Sequence, residues 1–243
     1  MDFKHKQLSN GLTIIGEVNK SALSASVGFF TRTGSRDETS EISGVSHFLE
    51  HMMFKGTESM SALEVNEAFD RLGADFNAFT SEENTVYYAA VLPEYLADVT
   101  SLWTQLMRPS LRDEDFDIEK NVIKQEIAMY KDHPQFDVMD MARAMHFGDH
   151  PCGNSVLGTN ESIDDLKSEQ MREYFSRRYS PNNIVVACTG NFDFENIVSL
   201  VEEKCGGWQR ADAGRKLSYS KGTMTKKRIE KENLAREHIC LLS

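Results

Sequence analysis

The chain has 243 residues and a net charge of −11, enough length for one large domain with a sizeable core, or one domain and part of another. The acidic balance and a single short basic run, Lys226-Lys227-Arg228, argue against nucleic acid or an acidic membrane surface as partner, and that run reads as solvated linker. No apolar stretch reaches membrane-spanning length, and Met1-Asp2-Phe3-Lys4-His5 begins no secretory signal. The four cysteines (Cys152, Cys188, Cys205 and Cys240) form no C-x-x-C pair, so the expectation is a cytoplasmic protein with free, mostly buried thiols.

Asn10-Gly11 between Leu8 and Leu12–Ile15 is a hairpin signal, and residues 22–33 read as a strand through Val27, Phe29 and Phe30. Residues 34–44 are polar with glycine at both ends, a loop leading into the next helix. Ser61-Ala62-Leu63-Glu64 is a capping box that opens a helix with Leu63, Phe69 and Leu72 as its apolar stripe, ending at Gly73. Two strands follow over 75–80 and 85–92, then helices over 93–107, 113–130, 138–146 and 168–179. A buried strand over 184–189 and a last helix over 194–205 complete the series. Helices alternate with hairpins rather than with single strands, which favours an α+β fold: an antiparallel or mixed sheet with helices packed on it.

After Trp208 the composition shifts to Ala, Gly, Lys, Ser and Thr. The expected organisation is therefore one domain over 1–208, a linker over 209–227, and the beginning of a second, truncated half over 228–243. Glu237 to Leu242 reads as the first strand of that half.

Chemistry concentrates in His47-Phe48-Leu49-Glu50-His51. On a helix the two histidines lie about 40° apart and one turn along the axis, a spacing that lets two imidazoles bind one metal ion, usually Zn²⁺. Glu50 projects roughly 60° from His47, where it could take a proton from a water at the metal. The H-x-x-E-H order reverses the commoner H-E-x-x-H pattern of zinc peptidases. Phe48, Leu49, Met52, Met53 and Phe54 crowd the same segment, so most of this helix should be buried, and buried polar groups need partners that a metal would supply.

A catalytic zinc site usually needs a third protein ligand. On the helix over 113–130, Glu119, Val122, Ile123, Glu126 and Tyr130 share one face. Glu119 and Glu126 are about 20° apart in angle but about 10.5 Å apart along the axis. They can line one cleft but do not both ligate one ion, so one is a ligand and the other a supporting group. Spacing does not say which.

Longer blocks carry a resemblance. Residues 44–57 (GVSHFLEHMMFKGT), 73–80 (GADFNAFT) followed by 85–88 (TVYY), and 119–127 (EKNVIKQEI) occur in this order, with His150-Pro151, Gly158-Thr159 and residues 179–183 (YSPNN) after them. In these blocks the chain resembles the pitrilysin and insulin-degrading family of inverted-motif zinc peptidases, which includes the mitochondrial processing peptidase and its bacterial relatives. The resemblance implies one zinc held by His47, His51 and Glu126, with Glu50 as general base and Glu119 assisting without ligating. It implies a peptide substrate bound as an added strand, contacted by Asn77 and Ala78. It further implies a second homologous half, fused or as a separate subunit such as a second copy, which supplies groups that hold the substrate. Only the first half is recognisable here, so the isolated chain should bind zinc yet cleave poorly. The alternative is a non-catalytic partner subunit or scaffold of the same fold, but such relatives generally lose metal ligands, and all the expected ones are present.

Overall fold

A computed structural model describes residues 2–230 and 236–242. The hairpin of β1 (Asp2–Gln7) and β2 (Thr13–Val18) closes around Ser9-Asn10-Gly11, where Leu8 N donates to Leu12 O and Gly11 N to Leu8 O, each at 2.9 Å. Gly11 takes φ 88°, the left-handed conformation such a loop requires. Asn10 does more than turn the chain: its buried amide donates to Cys205 O at 2.8 Å and so ties the hairpin to the last helix.

β3 (Ala25–Thr31) follows, and then a loop containing two short 3₁₀ turns, Ser35–Asp37 and Ser40–Ile42. Beyond it come α1 (Val45–Met53) and α2 (Ala62–Arg71). The capping box of α2 forms as expected, with Glu64 N donating to Ser61 Oγ at 3.3 Å and Ser61 N donating to Glu64 Oε2 at 2.7 Å. Its buried stripe is Val65 and Phe69, however, and Leu63 stands 68% exposed. Leu63 lies about 160° from Val65 and about 120° from Phe69 around the helix, too far to share the core-facing side.

The second hairpin is β4 (Asp75–Thr80) and β5 (Thr85–Val91). Next are α3 (Leu96–Leu106), α4 (Asp113–Asp132) and α5 (Pro134–Phe147). The chain continues through α6 (Asn160–Asp165), α7 (Ser168–Arg178), β6 (Ile184–Gly190) and α8 (Phe194–Cys205).

The sheet runs β1-β2-β6-β3-β5-β4. All neighbours are antiparallel except β2 and β6, which pair in parallel from Thr13↔Val185 to Val18↔Gly190. This is the mixed α+β sheet expected. One face is buried under helices: Phe29 aligns with Tyr87 on one side and Val186 on the other, and all three are buried. On that face Phe69 stacks on Phe76 at 4.0 Å between ring centroids, and Trp103 of α3 lies 5.9 Å from both Phe54 and Tyr87. Phe30, Phe79 and Tyr88 project from the opposite face and are exposed.

The segment expected as a linker has no helix or strand between 209 and 230, yet it is bound to the domain. Arg178 and Asn182 donate to the carbonyls of Ala213 and Ala211 (2.9 and 3.1 Å), and Thr223 N donates to His146 O at 2.9 Å. The strand expected from Glu237 to Leu242 does not form: residues 236–242 carry no regular structure. A strand exists only against a partner, and among the described residues neither open edge of the sheet, β1 or β4, takes this segment. The four cysteines are free; Cys188 and Cys205 are buried, whereas Cys152 and Cys240 are half-buried. No described helix is long and apolar enough to cross a membrane.

Candidate metal centre

α1 is short and mostly buried; Val45, Phe48, Leu49, Met52 and Met53 fix it in the core. His47, His51 and Glu50 are therefore held at the rim of this packing, toward α4 and β4. α4 meets α1 through the ring pair Phe48–Phe116, 4.6 Å apart. Its buried residues are Phe116, Glu119, Ile123 and Ile127. Val122, placed on this face from sequence, is 41% exposed instead. The buried arc is centred on Ile123 and Ile127, so Val122 lies about 60° from Glu119 on the solvent side and Glu126 about 20° on that same side. Glu119 is thereby buried and Glu126 half-buried at the cleft.

Three atoms converge. His47 Nε2 and His51 Nε2 are 3.2 Å apart, and Glu126 Oε2 lies 3.2 Å from the second and 3.6 Å from the first. Tetrahedral zinc with bonds of about 2.0–2.1 Å spaces its ligand atoms roughly 3.3 Å apart. The triangle thus fits one face of such a site, and the donor set of two imidazoles and a carboxylate suits zinc. No other group of three such residues gathers among the described residues.

Glu119 stands outside this triangle. Its Oε1 lies 2.7 Å from His51 Nδ1, and its Oε2 pairs with Lys55 Nζ at 2.5 Å. With Nδ1–H donated to Glu119, His51 turns the lone pair of Nε2 toward the centre. Burial disfavours the His51 cation, but Glu119 and Glu126 outweigh it and lift the pKa to about 9. Hydrogen bonds from His47 and His51 hold Glu126 well below the usual carboxylate range, against the opposing effect of burial. Burial would raise Glu119, yet His51 and Lys55 bring it below its ordinary value.

Glu50 lies on the same helix, and its Oε2 accepts from Thr80 Oγ1 at 2.5 Å. Thr80 ends β4, the edge strand of the sheet. Asn77 is exposed on that edge, with its Oδ1 accepting from Ala78 N at 2.8 Å, and Ala78 is half-buried beside it. Sequence reasoning brought out His47, Glu50, His51, Glu119 and Glu126 but neither Thr80 nor Lys55. Each had only a faint signal, a place within a matching block (44–57 for Lys55, 73–80 for Thr80); the contact of Thr80 with Glu50 depends on where the second hairpin lies.

The family model described as Insulinase (Peptidase family M16) matches residues 13–160, and one described as Peptidase M16 inactive domain matches residues 165–242. The chain belongs to the insulinase family of peptidases. The boundary between the two matched segments crosses a single sheet, since β6 from the second lies between β2 and β3 from the first.

Within the insulinase family, an uncharacterized zinc protease of Bacillus subtilis, YmxG, is 37% identical over 98% of this chain and 58% of its own length. One from Mycobacterium tuberculosis is 38% identical over 89% of this chain and 49% of its own length. A solved putative M16-like peptidase from Alicyclobacillus acidocaldarius superposes with a TM-score of 0.78 at 28% identity, over 86% of this chain and 50% of that one. The first half of the periplasmic protease PqqL from Escherichia coli shares the fold with a TM-score of 0.80 at 23% identity, over 90% and 48%. The chain thus spans about half the length of the curated relatives it matches. The resemblance read from the motif blocks is borne out: this is a metallopeptidase-family chain.

Proposed function

We propose that the protein is a zinc metalloendopeptidase acting on peptides or unfolded segments, with one zinc per chain on His47, His51 and Glu126. The observation that carries this reading is the triangle of ligand atoms at 3.2, 3.2 and 3.6 Å, with the carboxylate of Glu50, outside the triangle, on the same helix. Bound there, zinc would polarise a substrate carbonyl and bring the pKa of a water toward about 7. Glu50 takes the proton from that water as its oxygen adds to the carbonyl carbon. It then delivers the proton to the amine as the C–N bond breaks. The Thr80 hydroxyl holds one oxygen of Glu50, which leaves the other for the water. Glu119 orients His51 through Nδ1 and is balanced by Lys55.

The open edge at β4 supports binding of the substrate as an added strand, alongside Asn77 and Ala78. Half-length coverage of the relatives supports a second homologous half, fused or separate, as the partner that supplies further groups to hold the substrate. It accords with a division into a catalytic domain over 1–208, a connecting segment over 209–227 and the start of the second half over 228–243.

Glu50→Gln in the whole protein tests the assignment, because it removes the base while keeping shape. Peptide hydrolysis is expected to fall by about 10²–10⁴-fold, with zinc content by elemental analysis unchanged. An active Glu50→Gln protein would show that another group takes the proton.

A further inference from the structure

α1 starts from Gly44, whose φ is 91°. A Cβ at this position would stand 2.7 Å from Leu157 O and 3.1 Å from Gly158 Cα, so the position admits only glycine. Glycine has no side chain with which to cap its own helix. The helix carrying both histidines and Glu50 has nine residues, too few to be stable alone, and its first amides need acceptors from outside.

Glu38 supplies them. Its Oε2 accepts from Gly44 N at 2.7 Å and its Oε1 from Ser46 N at 2.8 Å. The side chain is buried, and each of its two oxygens is committed to one amide, the second immediately before His47. A carboxylate at the positive end of a helix is also favoured by the helix dipole. The Ser46 hydroxyl lies 2.9 Å from Tyr174 Oη, which is 2.8 Å from Thr33 Oγ1, so the first turn is held from two sides.

Glu38 is anchored in its turn. Its neighbour Asp37 accepts from Gly34 N at 3.1 Å, from Arg215 Nε and Nη2 at 2.8 and 2.6 Å, and pairs with Arg178 Nη2 at 3.0 Å. The side chains of Asp37, Arg178 and Arg215 are 3%, 4% and 5% exposed. Arg215 comes from the segment after α8, so the far end of the chain fixes the turn from which Glu38 reaches α1.

We infer that Glu38 is a positioning residue of the metal centre: its carboxylate seats the first turn of α1 and so sets the direction in which His47, Glu50 and His51 project. This rests on the reading of the centre as a zinc site. A cap that served stability alone would leave the ligand geometry untouched when weakened.

Cobalt substitution separates the two, since the visible absorption of Co²⁺ reports its coordination geometry. The whole protein, Glu38→Gln, Glu38→Asp and Arg215→Met are compared at pH 8 by Co²⁺ spectrum and by zinc affinity in competition with a chromogenic chelator. Glutamine offers one acceptor where two are needed, so Glu38→Gln should weaken zinc binding on the order of tenfold and alter the cobalt bands. Glu38→Asp, one methylene short, should fall between it and the unsubstituted protein. Arg215→Met leaves both amide bonds in place but frees their anchor, and should shift the same bands less. An unchanged spectrum and zinc affinity in Glu38→Gln, whatever its melting temperature, would overturn the inference. Should that variant fail to fold, unchanged bands in Arg215→Met would do so. If the unsubstituted protein binds neither metal, the zinc reading itself fails, and this inference fails with it.

Discussion

His51 separates the two acidic positions of α4, because an imidazole has two nitrogens on opposite sides of one ring. Glu119 occupies Nδ1 and Glu126 lies against Nε2, so two carboxylates about 10.5 Å apart along a helix axis serve one histidine at its two ends. The axial spacing legible in the sequence required the two to differ; which did which depended on the depth of each within the helix packing. Glu119→Gln tests the supporting role. The amide can still accept from Nδ1–H, but the charge is lost and Lys55 is left without its counter-ion. Zinc affinity should fall by about 10–100-fold with the three ligands intact, as measured by chelator competition; undiminished affinity would remove Glu119 from the centre. Glu38 gives a pH signature at the same scale. Burial raises its pKa from 4.5 to about 7, against the amides of Ser46 and Gly44. Between those values the folded chain holds a proton that the unfolded chain releases, so stability from this group is complete below pH 4.5 and is lost as pH rises through 7. Urea unfolding in chelator at pH 5, 6 and 7 should show the unsubstituted protein losing stability relative to Glu38→Gln as pH rises. The loss should total a few kcal/mol, and parallel profiles would contradict it.

At the scale of elements, α1 and α4 form one unit through Phe48 and Phe116, whose rings lie 4.6 Å apart. Ligands from two helices keep their spacing only if that contact holds. Phe48→Ala should cost about 3–5 kcal/mol of stability, read by chemical denaturation, and should weaken zinc binding below the unfolding transition. Lost stability with unchanged zinc affinity would mean that the ligands are held independently of this contact. Helices such as α4 and α8 were legible because their apolar residues repeat at helical spacing and their ends carry local signals, and the first hairpin because Asn10-Gly11 marks its turn. What could not be read was long-range. The parallel pairing of β2 with β6 joins distant parts of the chain and leaves no local trace, and α6 is a single short helix just after the last of three glycines, Gly148, Gly153 and Gly158. Glu38, Lys55 and Thr80 were hidden for the same reason: each acts on a helix it does not belong to.

In the molecule as a whole, the centre lies at one end of the sheet, beside an edge strand whose outer side pairs with no other strand of the described residues. The sheet face away from the helices carries exposed Phe30, Phe79 and Tyr88. Every group proposed to hold the metal and move a proton lies within residues 38–126, yet the chain spans about half the length of its relatives. Metal binding and turnover should therefore separate. These 243 residues alone are expected to bind zinc as tightly as with the proposed second half present, since all the proposed ligands and their supports lie within them. Peptide hydrolysis should be lower by about 100-fold or more, because a substrate strand anchored at one edge only is free to move relative to Glu50, and a displacement of about 1 Å costs that much. Quenched-peptide assays on the chain, with and without the proposed second half added as a separate polypeptide, measure the difference. Full activity without the addition would mean that the β4 edge orients the substrate by itself.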